Sequence, residues 1–281
     1  MPVKLGIIIT HGMGNQDRDF AKPTIDEINA RLKKLKTDSK QVAWEDLFWA
    51  DVIEPREQAL WDRVSAKHDL DYVKIRRFVI SALGDAVAYQ RVPGHINTYR
   101  QIHDRVRDHL TKLRTKMGDQ DLPVIVIAHS LGTAIMSDYI WDRQKQLRNN
   151  VPNGTPTDST PTSTPTERLE NLIGFITFGS TLPLFSLAFS PVVAIDFPPA
   201  TLPDPLKPVA KWLNFFDEDD VLGYPLKPSD PSYDRVVTED IEINAGSVFS
   251  SWNPLSHNGY WTDNDFTKPV AEQIAAVLKM V

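Results

Sequence analysis

One serine stands where a nucleophile could be made. The run from Pro123 to Ala134 carries four β-branched residues, Val124, Ile125, Val126 and Ile127, and ends in Ala128-His129-Ser130-Leu131-Gly132. The apolar run predicts a strand buried on both faces. Thr133, Ala134, Ile135 and Met136 then open a helical pattern. A serine at the apex of a tight strand-to-helix turn describes a nucleophile elbow, with the helix aiming its positive dipole end at the hydroxyl. An ordinary strand-to-helix turn would read the same from these five residues alone. A serine hydroxyl is a poor nucleophile at neutral pH, so it needs a base, and the base needs an anionic orienter. His257 is the only histidine after the acidic cluster Asp217-Glu218-Asp219-Asp220, which offers Asp217, Asp219 and Asp220 as candidate orienters. His11-Gly12-Met13-Gly14 closes the first apolar run. It reads either as an oxyanion loop offering the Met13 N–H or as a plain glycine turn.

The elements that must position these residues follow from patterning. Strands are expected over Leu5–Thr10, Val42–Trp49, 123–128, Leu172–Phe178 and Lys211–Phe216, with a further β-like segment inside Arg235–Asn244. A helix is expected from Thr24 to Lys36, where Thr24 and Glu27 have capping-box spacing and Ile25, Ile28, Leu32 and Leu35 form the apolar stripe. The elbow helix runs to about Leu147, and a closing helix spans Lys268–Val281. Residues 55–117 read as a helical insertion: Ile75, Phe78, Ala82, Ala86 and Tyr89 keep helical spacing, as do Tyr99, Ile102, Val106, Leu110 and Leu113. Its histidines, His68, His95, His103 and His109, match no metal motif and are expected to be solvated on polar helix faces. Gly84-Asp85 interrupts the helical pattern without an evident reason. Residues 149–166 are low in complexity and rich in Pro and Thr, which predicts a mobile surface loop. Residues 181–210 are apolar and too rich in proline for long regular elements, which suits a lid or an acyl-pocket wall as well as a packed excursion.

Strands alternating with helices predict an α/β fold with a mostly parallel sheet covered on both faces, in a single domain over 1–281. The His-Gly loop, the serine turn, the aspartates and His257 would all fall at the strands' carboxyl ends, where such sheets bind ligands. The formal net charge of −6, with no long basic block, argues against nucleic acid as a partner. There is no cysteine, which excludes disulfides and thiolate metal sites and allows a reducing compartment. No apolar run reaches the length that spans a bilayer, so a soluble, cytoplasmic protein is expected, with interfacial contact through 181–199 left open. Oligomeric state is not legible.

These residues resemble the α/β-hydrolase fold, and within it the serine lipases and esterases. His11-Gly12-Met13-Gly14 resembles the HG oxyanion loop, Ala128-His129-Ser130-Leu131-Gly132 is similar to the Ala-x-Ser-x-Gly variant of the nucleophile box, and Asp220-Val221-Leu222 and Ser256–Trp261 resemble the acid and histidine loops. The resemblance covers roughly 1–50, 121–148 and 168–281, and leaves out the helical insertion, the Pro/Thr-rich loop and the first two strands of the full fold. It implies Ser130 as nucleophile, His257 as base and Asp220 as the favoured acid, with Asp217 and Asp219 as alternatives. It also implies oxyanion donors at Met13 and Leu131, a structural role for His129, and no metal or organic cofactor. The implied activity is carboxylic ester hydrolysis on a small-molecule ester or lipid. A thioesterase or acyltransferase on the same triad, and a catalytically silent binding module, are the alternatives.

Overall fold

The structure is a computed structural model and describes residues 2–14, 16–66, 71–90, 98–148, 164–245 and 256–281. Six strands form one sheet: β1 (Leu5–Thr10), β2 (Val42–Leu47), β3 (Val124–His129), β4 (Leu172–Phe178), β5 (Lys211–Phe216) and β6 (Glu239–Glu242). Their order is β2-β1-β3-β4-β5-β6, and every neighbouring pair is parallel. β1 and β3 are buried along their whole length, as a parallel strand covered on both faces must be.

The period-2 alternation of the strands divides the core. Leu5, Ile7 and Ile9 of β1 and Ile125 and Ile127 of β3 pack with α1 (Lys22–Lys34) and α8 (Asn264–Leu278) through Ile28, Leu32, Val270 and Ile274. Ile8, Val124, Val126 and Ala128 face the other way, onto α4 (Thr98–Lys116) and α5 (Leu131–Arg148). The stripe Tyr99, Ile102, Val106, Leu110 and Leu113 is buried throughout. α4 is therefore a sheet-covering helix in the connection from β2 to β3. Only α2 (Glu54–Ser65) and α3 (Val73–Ala88) form the part of the 55–117 stretch that stands off the sheet. On α3, Tyr89 just beyond its end is buried, while the side chains of Ile75, Phe78 and Ala82 lie outside the described residues.

Several expectations change. His103 and His109 are buried, not solvated. His109 Nδ1 lies 2.6 Å from Glu45 Oε1, and His103 Nε2 lies 2.9 Å from the Tyr89 hydroxyl, so each meets a polar partner inside the α4 contact. His68 and His95 lie outside the described residues. Thr24 does not cap α1: the helix starts at Lys22 with Pro23 in its first turn, and the Thr24 hydroxyl donates to the Trp261 carbonyl at 2.6 Å. α8 begins at Asn264, four residues before the expected start, because Asp263 caps it by accepting the Asp265 N–H at 2.7 Å. Arg235 belongs to a short helix, α7 (Pro231–Val236), that precedes β6. The low-complexity loop lies outside the described residues as far as 163. Thr166, expected within it, is buried and bonds Asp121 through its N–H (3.2 Å) and its hydroxyl (2.8 Å). Within 181–210 the only regular pieces are α6 (Leu182–Ser186) and a 3-10 turn over Asp204–Val209.

Among the described residues no helix is long and apolar enough to cross a membrane. β1 lies between β2 and β3, so the chain leaves β1 toward one side of the sheet and returns on the other. In open parallel sheets, ligands bind at the carboxyl ends of the strands where the order reverses. Here the ends of β1 and β3 at that point carry His11-Gly12 and Ser130. If α4 is part of the core, Leu110→Ala should cost about 2–5 kcal/mol. The cost should show as a lower urea midpoint with an unchanged m-value.

Candidate active site

Ser130 is the single residue between β3 and α5, and its φ is +52°, a left-handed conformation that side-chain-bearing residues seldom adopt. The turn is pinned on both sides. The Ser130 N–H donates to the Phe178 carbonyl at the end of β4 (3.1 Å), and the Ser130 carbonyl accepts from the Thr133 N–H (2.9 Å) and hydroxyl (2.6 Å). The residue is fully buried, and its Oγ has no hydrogen-bond partner.

His257 lies in a 3-10 turn over Ser256–Thr262 and meets Asp220. Its Nδ1 is 2.8 Å from Asp220 Oδ2 and 3.0 Å from Oδ1, and its Nε2 is buried without a hydrogen-bond partner. Asp220 also accepts from the Leu222 N–H at 3.0 Å and the Tyr260 hydroxyl at 2.9 Å. Burial opposes its ionisation most strongly, but the hydrogen bonds and charge of His257, with the Leu222 and Tyr260 donors, hold its carboxyl below the usual range. The two alternatives are placed elsewhere. Asp217 is buried and spends its oxygens on the Ala245 N–H (2.6 Å) and the Asp219 N–H (2.8 Å), and Asp219 is exposed.

The His11–Gly14 loop lies directly against the serine turn. A Cβ on Gly12 would stand 2.3 Å from Ser130 Cβ, and one on Gly132 would stand 2.5 Å from the His11 carbonyl oxygen. Both glycines are required by the close approach of two backbones. His11 is buried and sits 4.7 Å from the Trp49 ring in a stacked arrangement. Its Nε2 accepts the Trp49 N–H at 3.2 Å, which leaves Nδ1 to donate to the Gly12 carbonyl at 2.8 Å. Burial, the dominant cause, lowers its pKa to about 4, so the ring is neutral and the tautomer is fixed. That bond orients the Gly12–Met13 peptide, whose N–H is antiparallel to its carbonyl. Leu131, the first residue of α5, offers an N–H that the helix itself does not use.

Three residues support the site: Tyr260 and Gln16, which sequence reasoning did not single out, and His129, for which it expected a structural role. Tyr260 bridges the acids, donating to Asp220 and accepting the Asp217 N–H at 3.0 Å. His129 holds the histidine turn: its Nε2 donates to the His257 carbonyl at 2.7 Å, and the two rings lie 4.7 Å apart. Burial first, then the nearby His257, pushes His129 well below the ordinary histidine value and keeps it neutral. Gln16 donates to the Met13 carbonyl at 3.1 Å. A tyrosine three residues after His257 was the one visible signal; the other two contacts depend on the turns. A scan against models of known protein families finds no match, and neither does a search of curated proteins.

Tyr260→Phe would leave the buried Asp217 N–H unpaired, and should cost about 1–3 kcal/mol near neutral pH. The stabilisation that Asp220 brings is present above the ordinary carboxylate value and fades as pH falls through the lowered one. Without the Tyr260 hydroxyl the folded-state value rises, so the fade should be smaller and complete at a higher pH, as read by urea midpoints across the acid range.

Proposed function

We propose that this protein is a serine hydrolase of the α/β-hydrolase kind that cleaves carboxylic esters of small molecules or lipids. The observation that carries the reading is a pair of buried polar atoms without partners, Ser130 Oγ and His257 Nε2, behind which Asp220 orients the imidazole. A nucleophile and a base that await substrate leave such atoms free, since catalytic hydrogen bonds often tighten only when substrate binds. The left-handed φ of Ser130 and its place at the reversal of strand order support it further.

In this mechanism Ser130 Oγ attacks the ester carbonyl carbon while His257 Nε2 takes its proton. Asp220 keeps the proton of His257 on Nδ1 in the resting state and stabilises the imidazolium that forms. The tetrahedral oxyanion accepts from the N–H groups of Met13 and Leu131, each such donor being worth about 2.7–4 kcal/mol. His257 then protonates the leaving alcohol as the carbon–oxygen bond breaks. Water, deprotonated by the same nitrogen, hydrolyses the acyl-enzyme and returns Ser130. Leu187, Phe189 and Val193, exposed on the segment after β4, suit an apolar acyl group or a lipid surface. The reading includes a cytoplasmic location, which rests on the sequence, with no cysteine and no apolar run of bilayer-spanning length.

A fluorophosphonate probe should label wild-type protein at Ser130, and Ser130→Ala should abolish labelling. A folded wild type that stays unlabelled would leave a silent binding module as the better reading. Asp220→Asn should lower kcat about 10³–10⁴-fold, and a larger loss from Asp217→Asn would overturn the acid assignment. A chain-length series of p-nitrophenyl esters run beside an acyl-CoA should favour the oxygen esters; preference for the acyl-CoA would make the enzyme a thioesterase or acyltransferase.

A further inference from the structure

Two carboxyl groups meet beneath the Gly12–Gly14 loop, and both come from the helices that stand off the sheet. Asp85 lies near the end of α3, is buried, and accepts the Gly14 N–H on Oδ2 at 2.9 Å. Glu57, on α2, reaches the same place: its carboxyl lies against Gly84, the chain neighbour of Asp85, and its Oε1 is buried without a hydrogen-bond partner. Two carboxyl groups buried this close repel one another if both are ionised. Burial first, and then the Asp85 charge, raises Glu57 well above the usual carboxylate range. Burial raises Asp85 as well, but the Gly14 N–H that it accepts opposes the rise. Glu57 therefore holds the proton and Asp85 the charge. Of the remaining neighbours, Glu54 on α2 adds negative charge to both and is itself faced by Asp51 and Arg18. Ser81 on α3 contributes a buried hydroxyl without a hydrogen-bond partner. The glycine that interrupts α3 has its reason here, because a Cβ on Gly84 would stand 3.1 Å from Glu57 Oε1.

We propose that Asp85 is a positioning residue for the oxyanion loop, and that an uncharged Glu57 packed beside it keeps that loop in place. The inference rests on the hydrolase reading and deepens it. The Met13–Gly14 peptide is held at both ends, by Gln16 on the Met13 carbonyl and by Asp85 on the Gly14 N–H. The preceding peptide, which carries the Met13 N–H, is held by His11. With Asp85 removed, one of these tethers is lost and the Met13 donor is no longer fixed toward Ser130. The Glu57 proton is fully in place below the ordinary glutamate value, and its contribution is lost as pH rises through the raised value. Above that point two carboxylates and Glu54 repel one another beside the loop.

The test uses the full chain with Asp85→Ala, Asp85→Asn and Glu57→Gln, each checked for folding by circular dichroism and thermal melting. Asp85→Ala should lower kcat about 10–100-fold, part of a full oxyanion donor's worth, with KM nearly unchanged. Asp85→Asn, whose amide oxygen still accepts the Gly14 N–H, should recover most of that loss. Glu57→Gln, which is uncharged at every pH, should carry the alkaline fall of kcat to higher pH. The Gly14 amide should exchange with solvent at least about tenfold faster in Asp85→Ala than in wild type, a readout that needs no activity. Unchanged kcat in folded Asp85→Ala, an alkaline limb that Glu57→Gln does not move, or unchanged Gly14 exchange would each overturn the proposal. A wild type that no fluorophosphonate labels would sink the hydrolase reading instead, and Gly14 exchange would still decide whether Asp85 holds the loop.

Discussion

The contact between the His11–Gly14 loop and the serine turn is the constraint on which the rest of the site depends. β1 and β3 are neighbours, so the backbones that leave their carboxyl ends must pass within van der Waals distance of each other. There is room for no Cβ on either side: Gly12 lies against Ser130, and Gly132 against the His11 carbonyl. The same approach brings the loop that carries Met13 against the start of α5. Strand order brings the two turns together, two glycines let them close, and the left-handed turn at Ser130 is stabilised by its bonds to Phe178 and Thr133.

Around that contact the protein uses burial to fix protonation states. His11 and His129 are kept neutral, and each spends one ring N–H on a backbone carbonyl, Gly12 for the first and His257 for the second. A neutral imidazole with one nitrogen committed is a rigid spacer, and both serve that purpose. Asp220 is treated in the opposite way, since three sets of donors keep its charge in place despite burial. Glu57 and Asp85 are a third case, in which burial raises both acids because neither is fully solvated. Four groups of similar intrinsic acidity, Asp217, Asp219, Asp220 and Asp85, thus take different roles by position alone.

Much of the framework is legible in the sequence. The bounds of β1, β4 and β5 follow from mainly apolar runs closed by His-Gly, Gly-Ser and an acidic cluster, because a strand buried on both faces admits few polar residues; Thr177 and Asn214 are buried inside β4 and β5 and bond each other at 2.8 Å. The stripe of α4 is equally plain, since one face of that helix is buried along its length. Less was legible where a residue's partner is distant. Thr24 looks like a cap but reaches Trp261; His103 and His109 look solvated on a charged helix but are turned inward onto Tyr89 and Glu45. Pattern reports which face of an element is apolar, not which polar groups will meet beneath it.

The sequence by itself determined that a serine would sit between a buried strand and a helix, with a glycine loop before it and a histidine after an acidic cluster. Those features are local: period, β-branching, and the small residues that a tight turn demands. Which of three aspartates meets His257, why Gly12 and Gly84 are glycines, and how Asp85 comes to hold Gly14 were decided only by the tertiary structure. Each of these is a distance between groups far apart in the chain. A carboxylate's charge, or a missing Cβ, acquires its meaning from what the fold brings within a few ångströms of it.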